Sequence, residues 1–126
     1  MTPFGQRVRT LRKKNRIALK QMAQDLGVSS AYFSALEHGY RGRPTSGLVQ
    51  QIAGYFMLST EETEDLKRLA QLSHPRVTVD TAGLNPKATE LANLLAELIH
   101  ELDEDTVDWI INEIHGRRAP KRGPTH

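Results

Sequence analysis

The stretch LKQMAQDLGVSSAYFSALEH, residues 19–38, leaves its backbone few choices. Leu19, Met22, Ala23 and Leu26 recur at helical spacing, and Gly27 stands where a left-handed residue stops a helix. Ser29 offers a hydroxyl that caps the next helix by accepting a backbone N–H. That helix runs to about His38 before Gly39, Gly42 and Pro44 break it. Two helices crossing near a right angle over so short a turn need a small residue where their backbones approach, which Ala23 supplies. Met22, Leu26, Val28, Phe33 and Leu36 fill the angle between them, and Ser30, Ala31, Ser34, Ala35 and His38 occupy the opposite face of the later helix.

The neighbouring segments extend this pattern. Phe4, Val8 and Leu11 give Pro3 to Asn15 one buried stripe, with Arg and Lys on its other face. Thr45 opens a fourth helix that carries Leu48, Val49, Ile52, Ala53 and Phe56 inward. Ser59 and Glu62 form a capping box ahead of a fifth, whose apolar residues are Leu66, Leu69, Ala70 and Leu72. Five short helices are complete by Ser73, so residues 1–73 read as one domain. In residues 74–84 the run PRVTVDTAGL alternates β-branched with polar residues and reads as an extended connector or a short strand. Asn85 as cap and Pro86 at the first helical position begin a sixth helix, with Leu91, Leu94, Leu95, Leu98, Ile99 and Leu102 as a wide apolar stripe. Asp103 caps a seventh that turns Val107, Ile110, Ile111 and Ile114 inward and ends at Gly116. Residues 117–126, RRAPKRGPTH, are basic and rich in Pro and Gly, a composition expected to be disordered. The fold class expected is all-α: a five-helix domain followed by a helical pair over residues 85–116.

Charge divides the chain in the same way. Residues 1–45 hold nine Lys/Arg against Asp25 and Glu37, a balance of +7. Residues 46–116 hold four against thirteen acids, a balance of −9. A basic end on an acidic body turns one face toward polyanions and keeps the other away from them; the alternative is a set of merely solvated helix faces. With no cysteine there is neither a disulfide framework nor a thiolate site, and no segment approaches a membrane span, so a soluble, cytoplasmic protein is expected. Enzyme chemistry finds little support. There is no phosphate-binding glycine loop, no nucleophile elbow, and no pair of histidines at i, i+4 spacing. His100 with Glu101, Glu104, Asp105 and Asp108 can suggest a cation site, but a capped helix junction explains those acids more simply. No metal or cofactor is implied.

With the basic first helix FGQRVRTLRKKN, the turn DLGVS, the pair Tyr32-Phe33 followed by Ser34, the element Leu36 to Gly39 and the trailing RGRP, the chain resembles the Cro/repressor-type helix-turn-helix regulators, the xenobiotic-response-element family. The resemblance covers roughly residues 4–73. It implies a five-helix, repressor-like DNA-binding domain, with the third helix in the major groove, the second across the backbone, and homodimers on two half-sites. Carried onto this chain, the duplex-facing residues are Lys20 and Gln21 on the second helix; Ser29, Ser30, Ala31, Tyr32, Ser34, Ala35 and His38 around the third; and Arg41 and Arg43 in the following loop. Ala18 and Leu19 stand where the family often has a capping serine and a glutamine touching the DNA backbone. Ser30, Ala31 and Ala35 replace the long side chains that read bases bidentately, so direct readout is expected to be sparse.

Several residues carry two readings. Tyr32, left exposed once Phe33 is placed in the core, bonds a phosphate or forms an edge aromatic over the fourth helix. Arg41 and Arg43 reach phosphates or a narrow minor groove. Lys13, Lys14 and Arg16 suit both the helix dipole and phosphate. Glu37 is structural, anchoring Arg12 or another arginine. The stripe on the last two helices is expected to meet its copy in a homodimer, through Leu91, Leu94, Leu95, Leu98, Ile99, Leu102, Ile110, Ile111 and Ile114. The alternative is a protein-interaction module, or an antitoxin-type regulator, whose acidic C-terminal helices bind a different protein.

Overall fold

The computed structural model describes residues 1–118. Its helices are α1 (Pro3–Lys14), α2 (Leu19–Leu26), α3 (Ser30–Glu37), α4 (Ser46–Tyr55), α5 (Thr60–Gln71), α6 (Pro86–Leu98) and α7 (Glu104–Arg117), with a 3-10 turn at Ile99–Glu101. The all-α expectation holds, and among the described residues there is no strand. PRVTVDTAGL therefore does not form one. Its Val77 and Val79 are exposed, and no other extended segment is there to pair with it.

Caps set most of the helix starts. Each cap side chain accepts a backbone N–H that the first turn leaves unpaired: Thr2 from Gly5, Ser29 from Tyr32, Thr45 from Leu48, Asn85 from Lys87 and Asp103 from Thr106. Ser59 and Glu62 close a full capping box. Ala18, ahead of α2, has no side-chain bond to give. Gly27 ends α2 in the left-handed region at φ 76°, which the turn into α3 requires.

The chain divides into two compact units, Met1–Thr78 and the residues from Val79 onward. In the first, Phe4, Val8, Met22, Ala23, Phe33, Leu36, Leu48, Val49, Ile52, Leu66 and Ala70 make one buried cluster drawn from all five helices. Tyr32, expected outside, is half-buried and packs against that cluster. Leu72, expected inside, is 62% exposed because α5 ends at Gln71 and the chain turns away. Ser73 is the buried residue instead, accepting from the Phe4 N–H at 2.9 Å and donating to the Leu69 carbonyl at 2.6 Å. Gly5 marks a close approach of α1 to the end of α3: a Cβ there would clash with the Glu37 backbone.

In the second unit no residue of α6 or α7 is buried. The 3-10 turn interrupts the expected stripe, so Ile99 and Leu102 lie beyond α6. Helix α6 runs directly into that turn and makes no extensive contact with α7. Ile111 and Ile114, expected to face inward, are therefore at the surface, 46% and 57% exposed. Helix α7 also runs through Gly116 to Arg117 rather than stopping at the glycine. Of residues 117–126, expected to be disordered, Arg117 belongs to α7, and residues 119–126 lie outside the described residues. Among the described residues no helix is long and apolar enough to cross a membrane.

Candidate nucleic-acid interface

Helix α3 is positioned by its buried side. Phe33 and Leu36 enter the core, and the Glu37 carbonyl accepts both the Thr2 backbone N–H (2.9 Å) and the Thr2 hydroxyl (3.2 Å), fixing the end of α3 to the start of α1. The Glu37 side chain is 1% exposed and meets the Arg12 guanidinium at 3.4 Å, the structural role expected of it. Burial raises the Glu37 carboxyl above its ordinary range, and Arg12 opposes that shift. Arg12 Nε, buried alongside, has no hydrogen-bond partner. This ion pair lies under α3, leaving the other face of the helix uninvolved.

On that other face Ser30, Ala31 and His38 are exposed, and Ser34 and Ala35 are half-buried. The Ser29 hydroxyl is engaged as the cap, 3.0 Å from the Tyr32 nitrogen. His38 Nδ1 lies 2.9 Å from the Ser34 carbonyl oxygen. A carbonyl only accepts, so Nδ1 carries the hydrogen in this bond. On α2, Lys20 and Gln21 are exposed. The Gln21 amide already donates to Asp25 at 2.9 Å, and Asp25 also accepts from the Tyr55 hydroxyl, tying α2 to α4. That hydrogen bond raises the Tyr55 pKa, because ionising the phenol would lose it beside a carboxylate.

After α3 the backbone reverses through Gly39 and Gly42, both left-handed at φ 85° and 76°, and is pinned by buried Pro44. Tyr40, Arg41 and Arg43 project from this loop and are exposed. The Arg41 guanidinium carbon sits 5.6 Å from the centroid of the Tyr32 ring. Among the described residues neither Arg41 nor Arg43 has a carboxylate partner. Ser30, Ala31, Ser34, Ala35 and His38 thus lie on the side of α3 away from Phe33 and Leu36, whereas Tyr32 is half-buried against the core and Gln21 is partly committed to Asp25.

Sequence reasoning missed Tyr40, 81% exposed and stacked with His38 at a ring separation of 6.5 Å. An aromatic between two glycines, followed by Arg41 and Arg43, was the available signal. It also missed Trp109, 64% exposed on α7. Leu91, Leu94, Leu98, Ile99, Ile111 and Ile114 are exposed as well, whereas Leu95, Leu102 and Ile110 are half-buried. No group of acidic or histidine side chains among the described residues suits a metal ion, the His100 neighbourhood included.

Residues 3–66 match the helix-turn-helix domain family. The match spans half of the chain, and the chain belongs to that family. The motif-based resemblance is borne out at this level. The chain is 36% identical over 61 residues to an uncharacterized HTH-type transcriptional regulator, RghRB, of Bacillus subtilis, covering 48% of this chain and 44% of that protein. It is 36% identical over 53 residues to the HTH-type transcriptional repressor RghR of the same organism, covering 42% of this chain and 39% of that protein. The chain thus spans less than half the length of these curated relatives. No solved structure matches it.

Proposed function

We propose that this helix-turn-helix protein is a sequence-specific, double-stranded DNA-binding transcriptional regulator that acts as a homodimer on an inverted-repeat operator. The observation that carries the DNA-binding half is the exposed face of α3, small and polar, flanked by Arg41 and Arg43 without carboxylate partners and held rigid by the core beneath it. Lys20, Gln21, Ser29, Ser30, Ala31, Ser34, Ala35 and His38 enter or border the major groove, and the arginines meet phosphate. Both relatives are named as transcriptional regulators, which supports the same reading. A chain without cysteine suits the reducing cytoplasm, where such a regulator works.

Specificity rests more on DNA shape and on Ser and Ala contacts with thymine methyls than on bidentate bonds, because the α3 face lacks long amide or guanidinium side chains. A·T-rich operators follow. Binding of a fluorescent random duplex, measured as anisotropy from low to moderate salt, tests the interface: affinity falls steeply with salt if phosphates are neutralised. Binding that ignores salt, or none at all, overturns the reading.

The homodimer is supported by the second unit. Ala88, Leu91, Leu95 and Leu98 on α6, and Val107, Ile110 and Ile114 on α7, follow the alternating three- and four-residue spacing of helices that pack nearly parallel. Glu90, Glu97, Asp105 and Asp108 fall outside those seams, so two copies can meet without opposing these acids. Two-fold pairing would place recognition helices in successive major grooves, about 10 base pairs apart. A second reading, a different and basic protein seated on the same helices, draws on the eight acids against one lysine in residues 86–116.

A further inference from the structure

Tyr32 and Arg41 form a pair that neither a phosphate-binding tyrosine nor a simple core aromatic accounts for. The Tyr32 ring is anchored from below by the core cluster, with its backbone nitrogen held by the Ser29 cap. Its exposed side carries the Arg41 guanidinium at 5.6 Å from the centroid, within the range where a cation is drawn to the face of an aromatic ring. Arg41 lies between Gly39 and Gly42, both in the left-handed region, and no carboxylate among the described residues holds it. A long side chain on such a loop loses much rotamer freedom when it contacts a phosphate, unless something has already fixed its direction.

The geometry points to Tyr32 as a positioning residue: its ring holds Arg41 beside the end of α3 before DNA arrives, so that the guanidinium meets a backbone phosphate already oriented. A cation on an aromatic face keeps its N–H donors at its edge, free for phosphate oxygens. The Tyr32 hydroxyl has no part in this. The inference rests on the DNA-binding reading above.

The test is a double-mutant cycle on the full chain with one random-sequence duplex, read as affinity against salt. Arg41→Ala should lower the salt slope by about one. Tyr32→Leu, which keeps an apolar group against the core, should weaken binding about two- to five-fold, and should weaken it no further in the Arg41→Ala background. Tyr32→Phe should bind as the wild type does. An equal loss from Tyr32→Leu in both backgrounds overturns the inference, and a loss in Tyr32→Phe assigns the hydroxyl to phosphate instead. In the DNA-free protein, the Arg41 side-chain protons should show an upfield ring-current shift by NMR that Tyr32→Leu abolishes; its absence in the wild type also overturns the pairing. Wild-type protein that shows this shift yet binds no duplex would overturn the functional reading and not the pair.

Discussion

Phe33 in α3 and Leu91 in α6 are both large apolar residues at helical spacing, yet Phe33 has 0% of its surface exposed and Leu91 has 58%. The difference lies in what surrounds them. In residues 1–78 five short helices meet around one cluster, and each apolar stripe is covered by its neighbours. From Val79 onward two helices and a 3-10 turn have no such neighbours, and stripes of similar composition stay open. Periodicity identifies a face that wants burial, but it does not say which chain will bury it. The first unit answers that within itself. For the second, the proposed answer is a further chain, since an exposed apolar surface of this kind costs free energy in water.

The sharpest way to break this comparison is to truncate one residue from each side. Phe33→Ala should cost roughly 3–5 kcal/mol of stability, read as the unfolding midpoint in urea, whereas Leu91→Ala should leave the unfolding of the first unit unchanged. Equal effects would mean that the two units share a core. Gly5→Ala should come next. The added Cβ meets the Glu37 backbone, a contact that only a shift of α1 from α3 relieves, so a loss of about 1–3 kcal/mol is expected.

A smaller effect sharpens the account of what lies under α3. Burial raises the Glu37 pKa above its unfolded value, so the native state holds that proton more tightly than the unfolded chain. Its contribution to stability is therefore greatest below the ordinary glutamate value of 4.5 and declines as pH rises through the raised native value. The stability of the wild type relative to Glu37→Gln should fall as pH rises over that window, measured by thermal unfolding at a series of pH values. A rising difference would show that Arg12 outweighs burial. The smallest expected change is in Arg43→Ala, which should lower the salt slope of DNA binding by about one without altering the unfolding midpoint. A change confined to one base position would assign Arg43 to base readout instead.

Much of the first unit is legible because its signals are local. Gly27, the Ser29 cap and the Ser59–Glu62 box each involve groups within a few residues of one another, and the structure has all three. Contacts across the fold were not legible. Ser73 bonds Phe4 across 69 positions, and Gly5 is required only because Glu37 packs against it. The alternation in PRVTVDTAGL suggested a strand because period-two spacing says nothing about a pairing partner. For the interface, spacing placed Ser30, Ala31, Ser34, Ala35 and His38 on one face of α3. The seat of Arg41 over Tyr32 depends instead on how a glycine-flanked loop folds back, which no periodicity encodes.

The division of labour between the units is tested most directly by sedimentation or light scattering of the full chain at micromolar concentration, beside Leu95→Asp and a chain ending at Thr78. The wild type should have the mass of two copies. Leu95→Asp and the shortened chain should each have the mass of one, and the shortened chain should retain helical circular dichroism and weak, salt-sensitive DNA binding. A wild-type chain that sediments as one copy, or a shortened chain that still pairs, would contradict the assignment of self-association to α6 and α7.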